Sequence, residues 1–178
     1  LSMKTSFLLA PLAALTASAA VVAPAYADHH AMDAPKLEDV LASEKRGDDG
    51  KRDQYRRPVE TLDFFGVTPT MTVAEYGPGG GWYTRVLAPY VMPKGQYIAF
   101  NQDSDGRAYR TRAQEARSKG WTERFKSGVA KMMEVEADAG TAVEIDEMPD
   151  GVEGTVDRVL IFRSMHGLNI GNSADTVL

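Results

Sequence analysis

Residues 73–91, VAEYGPGGGWYTRVLAPYV, place four glycines and Pro78 between a short apolar run and an amphipathic stretch. Glycine loses more conformational freedom on folding than other residues, so a cluster marks a tight turn or a close approach to the backbone. Glu75 stands two residues before the first of these glycines. The stretch is interpreted as a bare structural turn, a phosphate cradle, or a pocket for a nucleoside or amino-acid cofactor.

Outward from this stretch, helical and strand patterns alternate along the chain. Helices are predicted over 36–43, from Pro58 to Gly66 with Val59, Leu62, Phe64 and Phe65 as its apolar face, over 82–91, and over 107–127 with a break near Gly120. Strands are predicted over 71–76, 96–100, 131–136, 141–145 and 156–165, the fourth of them either separate or a continuation of the third past a bulge. Helices between strands suit crossover connections, so we expect a parallel α/β sheet of Rossmann-like type, with helices on both faces.

The amino terminus differs in kind from the rest of the chain. Lys4 precedes an uncharged, Ala- and Leu-rich run over 6–22, and Ala25-Tyr26-Ala27 follows it. This order predicts a secretory signal peptide over 1–27 and therefore an exported protein, periplasmic or secreted, without stable membrane insertion after cleavage. A retained membrane anchor is the alternative.

Residues 28–57 form a polar segment, expected to hold the short helix over 36–43 and then an exposed connector. His29 and His30 are interpreted as part of a disordered tail rather than as metal ligands, and no metal site is predicted. The chain has a net charge of −5 at pH 7 and no cysteine. An acidic domain is a poor candidate for nucleic-acid binding, and its stability must come from burial rather than disulfides.

The spacing of the glycines separates the possible ligands. A dinucleotide fingerprint, G-x-G-x-x-G, would put its third glycine at position 82, which is Trp82. A phosphate loop would need a lysine after the last glycine, and none follows. The chain instead reads E-x-G-x-G-x-G, with an acid where a pyrophosphate would be repelled.

The segments VAEYGPGGGWYTRVLAP, KGQYIAFNQD and DRVLIFRSMHGL together resemble class I S-adenosylmethionine-dependent methyltransferases. They are most similar to an exported group of predicted methyltransferases with a G-P-G-x-G-W-Y-T loop and an F-R-x-x-H segment after the fourth strand. The resemblance covers residues 58–170. It implies that the domain over 58–178 binds S-adenosylmethionine and transfers its methyl group to a small molecule or an envelope component.

The resemblance also implies roles for individual residues. Glu75 would favour the ammonium group of the cofactor. The expected backbone contacts with its ribose and amino-acid portion, and the aromatic wall of the pocket, involve Gly77, Pro78, Gly79, Gly81, Trp82 and Tyr83. The acid that usually holds the ribose hydroxyls corresponds to Asn101, followed by Gln102 and Asp103, and Asp103 could substitute if the second strand runs two residues longer.

The remaining assignments leave alternatives open. The adenine-side acid is either Asp138 or Asp146. His166, at the end of the last predicted strand, is interpreted as a general base or as a packed histidine, while Arg163 is expected within that strand. Because the resembling family has seven strands, the chain is expected to be a carboxyl-terminally incomplete fragment that is poorly stable and inactive by itself. A non-catalytic exported protein that binds an adenosine-containing or amino-acid ligand is the alternative function, and a structural interaction module is a third.

Overall fold

The computed structural model describes residues 34–105, 107–134 and 141–170. The α-helices are α1 (Leu37–Ala42), α2 (Asp53–Arg56), α3 (Pro58–Phe64), α4 (Thr84–Val91), α5 (Arg112–Lys119), α6 (Trp121–Met133) and α7 (Met165–Ile170), and two 3₁₀ segments cover Glu44–Arg52 and Ile145–Glu147. The strands are β1 (Thr72–Tyr76), β2 (Gln96–Asn101), β3 (Thr141–Glu144) and β4 (Arg158–Ile161). The signal peptide predicted over 1–27, with His29, His30 and Asp138, lies outside the described residues.

The four described strands form one sheet in the order β3-β2-β1-β4, and every neighbouring pair is parallel. This confirms the predicted α/β class. The chain passes from β1 to β2 to β3 on one side of β1, then crosses to β4 on its other side. The strand order therefore reverses between β1 and β4, and ligands of open parallel sheets bind at the carboxyl edge of such a reversal.

The central strands β1 and β2 are buried on both faces, as expected where helices cover each face of a parallel sheet. On one face Val73 packs in a cluster with residues of α4, among them Val86 and Leu87. On the other face Ala74 packs in a separate cluster with Leu168 of α7. Because consecutive strand residues alternate between faces, Glu75 lies on the same face of β1 as Val73, toward α4.

The strand predicted over 131–136 is wrong at its start, because Lys131 to Met133 form the last turn of α6, while residues 135–136 lie outside the described residues. The buried residues Val129 and Ala130 precede this turn in the helix, and the helical spacing of apolar positions continues through it. The next described strand is β3, over Thr141–Glu144. At 13 residues α6 is the longest of the described α-helices; in this part of the chain no helix combines the length and apolarity needed to cross a bilayer.

Three further predictions need correction. The segment predicted as an exposed connector is helical over Glu44–Arg52 and Asp53–Arg56. Its Arg46 is only 5% exposed, and the guanidinium group donates to Asp53 at 2.7 and 2.8 Å. Phe64 and Phe65 do not belong to a buried face of α3, since they are 84% and 39% exposed. The last strand is limited to Arg158–Ile161, shorter than the apolar run that predicted it.

Gly95 is required where the chain enters β2. A Cβ at this position would lie 2.2 Å from the carbonyl oxygen of Met71, which accepts a hydrogen bond from the Gln96 amide. Gly95→Ala must therefore shift one of two paired backbones, and we expect a loss of about 2 kcal/mol in the free energy of unfolding, measured by urea denaturation. Gly50→Ala is the control because a Cβ there meets open space. Equal destabilisation by both substitutions would contradict this explanation.

Candidate functional site

The glycine loop that follows β1 has a backbone conformation in which residues with side chains would be strained. Gly77 and Gly79 both have φ of 58°, in the left-handed region that favours glycine. A Cβ at Gly77 would lie 3.2 Å from Oγ of Ser164, so β1 and the segment after β4 come close here. At Gly79 the nearest atom to an added Cβ is a loop carbonyl oxygen 3.9 Å away, and at Gly80 nothing lies within 4 Å. The outer part of the loop is therefore bare and open.

A pocket of about 400 Å³ lies beside this loop. One wall consists of Glu75, Gly77, Pro78, Gly79, Gly80, Trp82 and Tyr83. Phe162, Arg163 and Ser164, which follow β4, also line the pocket. Since β1 and β4 flank the reversal of strand order, the pocket occupies the place where an open parallel sheet binds its ligand.

The Glu75 side chain is 2% exposed and is held by two hydroxyl groups. Thr84 Oγ1 donates to Glu75 Oε2 at 2.9 Å, and the Tyr97 hydroxyl donates to the same oxygen at 2.5 Å. Burial raises the pKa of Glu75 to about 7, although the bonds from Tyr97 and Thr84 and the charge of Arg85 act in the opposite direction. The carboxyl group can therefore gain or lose a proton near neutral pH.

Neither Thr84 nor Tyr97 was predicted as part of the site. Burial and the adjacent Glu75 carboxylate raise the pKa of the Tyr97 phenol well above its ordinary value, so the hydroxyl keeps its proton and remains a donor. Tyr97 pairs with Val73 across β1 and β2, which puts it on the Glu75 face of the sheet. The period-2 pattern of the predicted strand 96–100 could have indicated this placement.

The aromatic residues after the loop are structural walls of the pocket. Trp82 Nε1 donates to the carbonyl oxygen of Asp49 at 3.1 Å, and the Tyr83 hydroxyl donates to that of Arg56 at 3.3 Å. The Tyr83 ring also stacks on Phe162, with centroids 3.5 Å apart. Through these contacts the amino-terminal helical segment and the turn after β4 both pack against the residues that follow the glycine loop.

The polar residues at the end of β2 divide between two places. Asn101, the last residue of β2, has its Oδ1 3.8 Å from the position of a Cβ at Gly77, next to the loop. The strand does not extend to Asp103, and none of Asn101, Gln102 and Asp103 lines the pocket. The structure therefore brings Asn101 to the loop and leaves the other two beyond it.

Asp103 instead lies near two acids from the end of β3. Carboxylate oxygens of Asp103, Glu144 and Asp146 lie within 4.8 Å of one another, an arrangement that could accept hydrogen bonds from hydroxyl or amino groups or hold a cation. Glu144 is buried and accepts a 2.6 Å hydrogen bond from the Ser104 amide. Sequence reasoning treated Asp103 and Asp146 separately and missed Glu144, which the register of β3 places directly opposite Asn101.

Two residues after β4 differ from their predicted positions. Arg163 is not within the strand, which ends at Ile161; it lies in the following turn with φ of 60° and lines the pocket. His166 is not at the strand end either. It is an exposed residue in the first turn of α7 and does not line the pocket. Its role as a general base stays a prediction.

A larger pocket, of about 550 Å³, also touches the loop. It includes Gly79, Gly80 and Gly81 and continues along α6 past Phe125 and Gly128. It does not include Glu75 or Ser164. The pocket at the strand ends is therefore the better candidate for chemistry, because it combines a titratable group with the carboxyl edge of the sheet.

Sequence reasoning also missed the contribution of the amino-terminal segment. Arg52 and Arg56, assigned to an exposed connector, line the pocket together with Arg85 of α4. Their positions depend on the packing of Trp82 and Tyr83 against the segment, a long-range contact that local patterns do not contain. In comparisons with known proteins, no family model, curated protein or solved structure matches this chain.

Proposed function

We propose that the chain binds S-adenosylmethionine in the pocket at the strand ends and transfers its methyl group to a small-molecule acceptor. The observation that carries this proposal is the pairing of a bare loop with the buried Glu75 carboxyl group in one pocket at the reversal of strand order. The residue resemblance to class I methyltransferases, noted above, points to the same ligand.

Glu75 favours a cationic ligand group over a phosphate. Both of its side-chain hydrogen bonds end on Oε2, so the acceptor capacity of Oε1 is not used by Thr84 or Tyr97. In an environment of low polarity, an ammonium group near the carboxylate gains more Coulomb energy than it would in water, whereas a pyrophosphate would be repelled. The pocket therefore suits the amino-acid end of the cofactor better than a dinucleotide.

The open backbone at Gly79 and Gly80 is the second feature of the pocket that suits the proposed cofactor. With no side chain at these positions, a ligand can lie against the main chain, and amide groups just before α4 are available as donors. Asn101 at the end of β2 offers an amide to a ribose hydroxyl, without the additional strength that a carboxylate would give.

When bound, the cofactor would supply an electrophilic methyl group to a lone pair of the acceptor. S-adenosylhomocysteine would be the leaving group, and a proton lost by the acceptor would pass to solvent. The task of the protein is to align the acceptor and exclude water. The buried Trp82 and Tyr83, with Phe162 stacked on Tyr83, provide a rigid apolar wall for this purpose.

A non-catalytic binding protein is the second candidate function. The observation that favours it is the exposed position of His166, outside the pocket, which leaves the predicted general base away from the proposed ligand. Transfer of a labelled methyl group to a small-molecule extract, reduced in His166→Ala, would favour the enzyme. Ligand binding with no methyl transfer to any extract would favour the binding protein.

Calorimetric titration tests the ligand assignment. S-adenosylmethionine and its demethylated product, S-adenosylhomocysteine, are expected to bind the full chain with one site each, and more tightly than a nicotinamide dinucleotide. The physical reason is that the Glu75 carboxylate attracts the ammonium group of these ligands and repels a pyrophosphate placed next to it. Tighter binding of the dinucleotide, or the absence of binding by both sulfur-containing ligands, would contradict the proposal.

A further inference from the structure

The arginines that line the pocket at the strand ends outnumber the negatively charged groups of the proposed cofactor. Four arginines line the pocket, Arg52, Arg56, Arg85 and Arg163. Arg85 is paired, because its Nε donates to Asp49 at 2.5 Å. Over residues 34–105, 107–134 and 141–170, none of the other three forms an ion pair.

The guanidinium group of Arg56 is held in place without an acidic partner. It lies 4.6 Å from the centroid of the Trp82 ring and 5.7 Å from that of Tyr83, in cation–π contacts. Burial lowers the pKa of Arg56, and the positive charges of Arg52 and Arg163 lower it further, although Tyr83 and Asp49 act in the opposite direction. The three arginines repel one another across the pocket, and an anion between them would relieve that repulsion.

Arg163 occupies a backbone conformation that is unfavourable for a side chain. Its φ of 60° lies in the left-handed region, where glycine would be free of strain. Strain of this kind persists where the surrounding structure requires it and is concentrated at functional sites. Here it brings a guanidinium group into the pocket next to Ser164 and the glycine loop.

The charges of the proposed cofactor do not balance these arginines. Its ammonium group would pair with Glu75, its carboxylate would offset one guanidinium, and its sulfonium would add one positive charge. Two guanidinium groups and the sulfonium would remain without a counter-charge in a partly enclosed pocket. Such a site favours a second, negatively charged ligand.

We infer that the methyl acceptor is a small anion, whose carboxylate or phosphate group is bound by Arg56 and Arg163. Guanidinium groups match both oxyanions through paired N–H donors. The identification of the anion as the methyl acceptor rests on the proposed function. The binding of an anion by these arginines does not depend on methyl transfer. Direct anion binding can therefore be measured separately from cofactor binding.

The test is a thermal unfolding titration of the full chain with inorganic phosphate, in which chloride keeps the ionic strength constant. Phosphate is expected to raise Tm in a saturable way, both without ligand and with saturating S-adenosylhomocysteine. Arg163→Gly should weaken phosphate binding by about tenfold or more. The same substitution should leave the Tm of the ligand-free protein at or above the wild-type value, because glycine tolerates φ of 60°. Arg56→Gln should weaken binding similarly, and Arg117→Gln, on the helix α5, is the matched control.

Each arm of the experiment has a contrary outcome. A phosphate effect that is absent, or that is equal in the wild type and in both pocket variants, would overturn the anion site. Competition between phosphate and S-adenosylhomocysteine, but not between phosphate and methylthioadenosine, would mean that the arginines hold the cofactor's own carboxylate and would overturn the acceptor assignment. Failure of S-adenosylhomocysteine to bind while phosphate still binds would reject the proposed function and leave the anion site standing.

Discussion

Gly80→Val is expected to weaken binding of S-adenosylhomocysteine by about a hundredfold, equivalent to roughly 2.7 kcal/mol, with little change in the free energy of unfolding. A Cβ at Gly80 meets nothing within 4 Å, and its φ lies outside the left-handed region, so the fold accepts a side chain there. The isopropyl group would instead occupy the space in which the ligand lies against the loop. Calorimetric titration measures the affinity, and urea denaturation measures the stability.

Two valine substitutions serve as controls for Gly80→Val. Gly50 also meets open space but lies outside the pocket, so Gly50→Val should leave affinity unchanged. Gly128 lines only the larger pocket along α6, so Gly128→Val separates the two cavities. Gly80 lines both cavities, so loss of binding in Gly128→Val would show that the ligand site has been assigned to the wrong pocket.

Ionisation of Glu75 is expected to make the ligand-free protein less stable as the pH rises from 4.5 to above 7. The pKa of this carboxyl group is about 7 in the folded state, against 4.5 for an unperturbed glutamate. Between these values the folded state binds more protons than the unfolded state, so the stabilising contribution is complete below pH 4.5 and is lost as the pH rises through 7. The full loss is roughly 3 kcal/mol, because one pKa unit corresponds to about 1.4 kcal/mol.

Glu75→Gln provides the measurement for this prediction. The glutamine carbonyl can still accept hydrogen bonds from Thr84 and Tyr97 but does not titrate. The difference in free energy of unfolding between the wild type and Glu75→Gln, from urea denaturation at pH 5 and pH 8, should change by most of that amount. Parallel pH profiles for the two proteins would show that Glu75 does not titrate in this range.

Much of the fold follows from local patterns. Strands β1 and β2 lie within one residue of their predicted bounds, and the break between α5 and α6 falls at Gly120, as expected. The bounds of these elements are clear in the sequence, because glycines and prolines flank them and each has apolar residues at the spacing of a single type of secondary structure. The parallel pairing then follows from the lengths of the connecting segments.

The errors arise where local pattern and tertiary packing disagree. Met132 and Met133 suit a strand as well as a helix, but packing of α6 against the core extends the helix to Met133. The charge-rich 44–57 segment resembles an exposed linker, yet Arg46 is buried within it, paired with Asp53 and 5.2 Å from the Trp82 ring centroid. Composition alone does not reveal a charged residue that is buried with its partner.

The candidate site was predictable only in part. Glu75 and the glycine loop are contiguous in sequence, so their position at the end of a strand could be inferred from the motif. The hydroxyl donors Thr84 and Tyr97 and the arginine Arg56 come from other elements, and their approach depends on strand register and helix packing. Sequence patterns contain the elements of this site but not the distances between them.

A crystal structure of the full chain with S-adenosylhomocysteine would show where the ligand binds. We expect ligand density in the pocket at the strand ends, against the backbone of Gly79 and Gly80, with the ammonium group close to Glu75. Density only in the larger pocket along α6, or a complex in which side chains fill the space beside Gly79 and Gly80, would contradict the proposal.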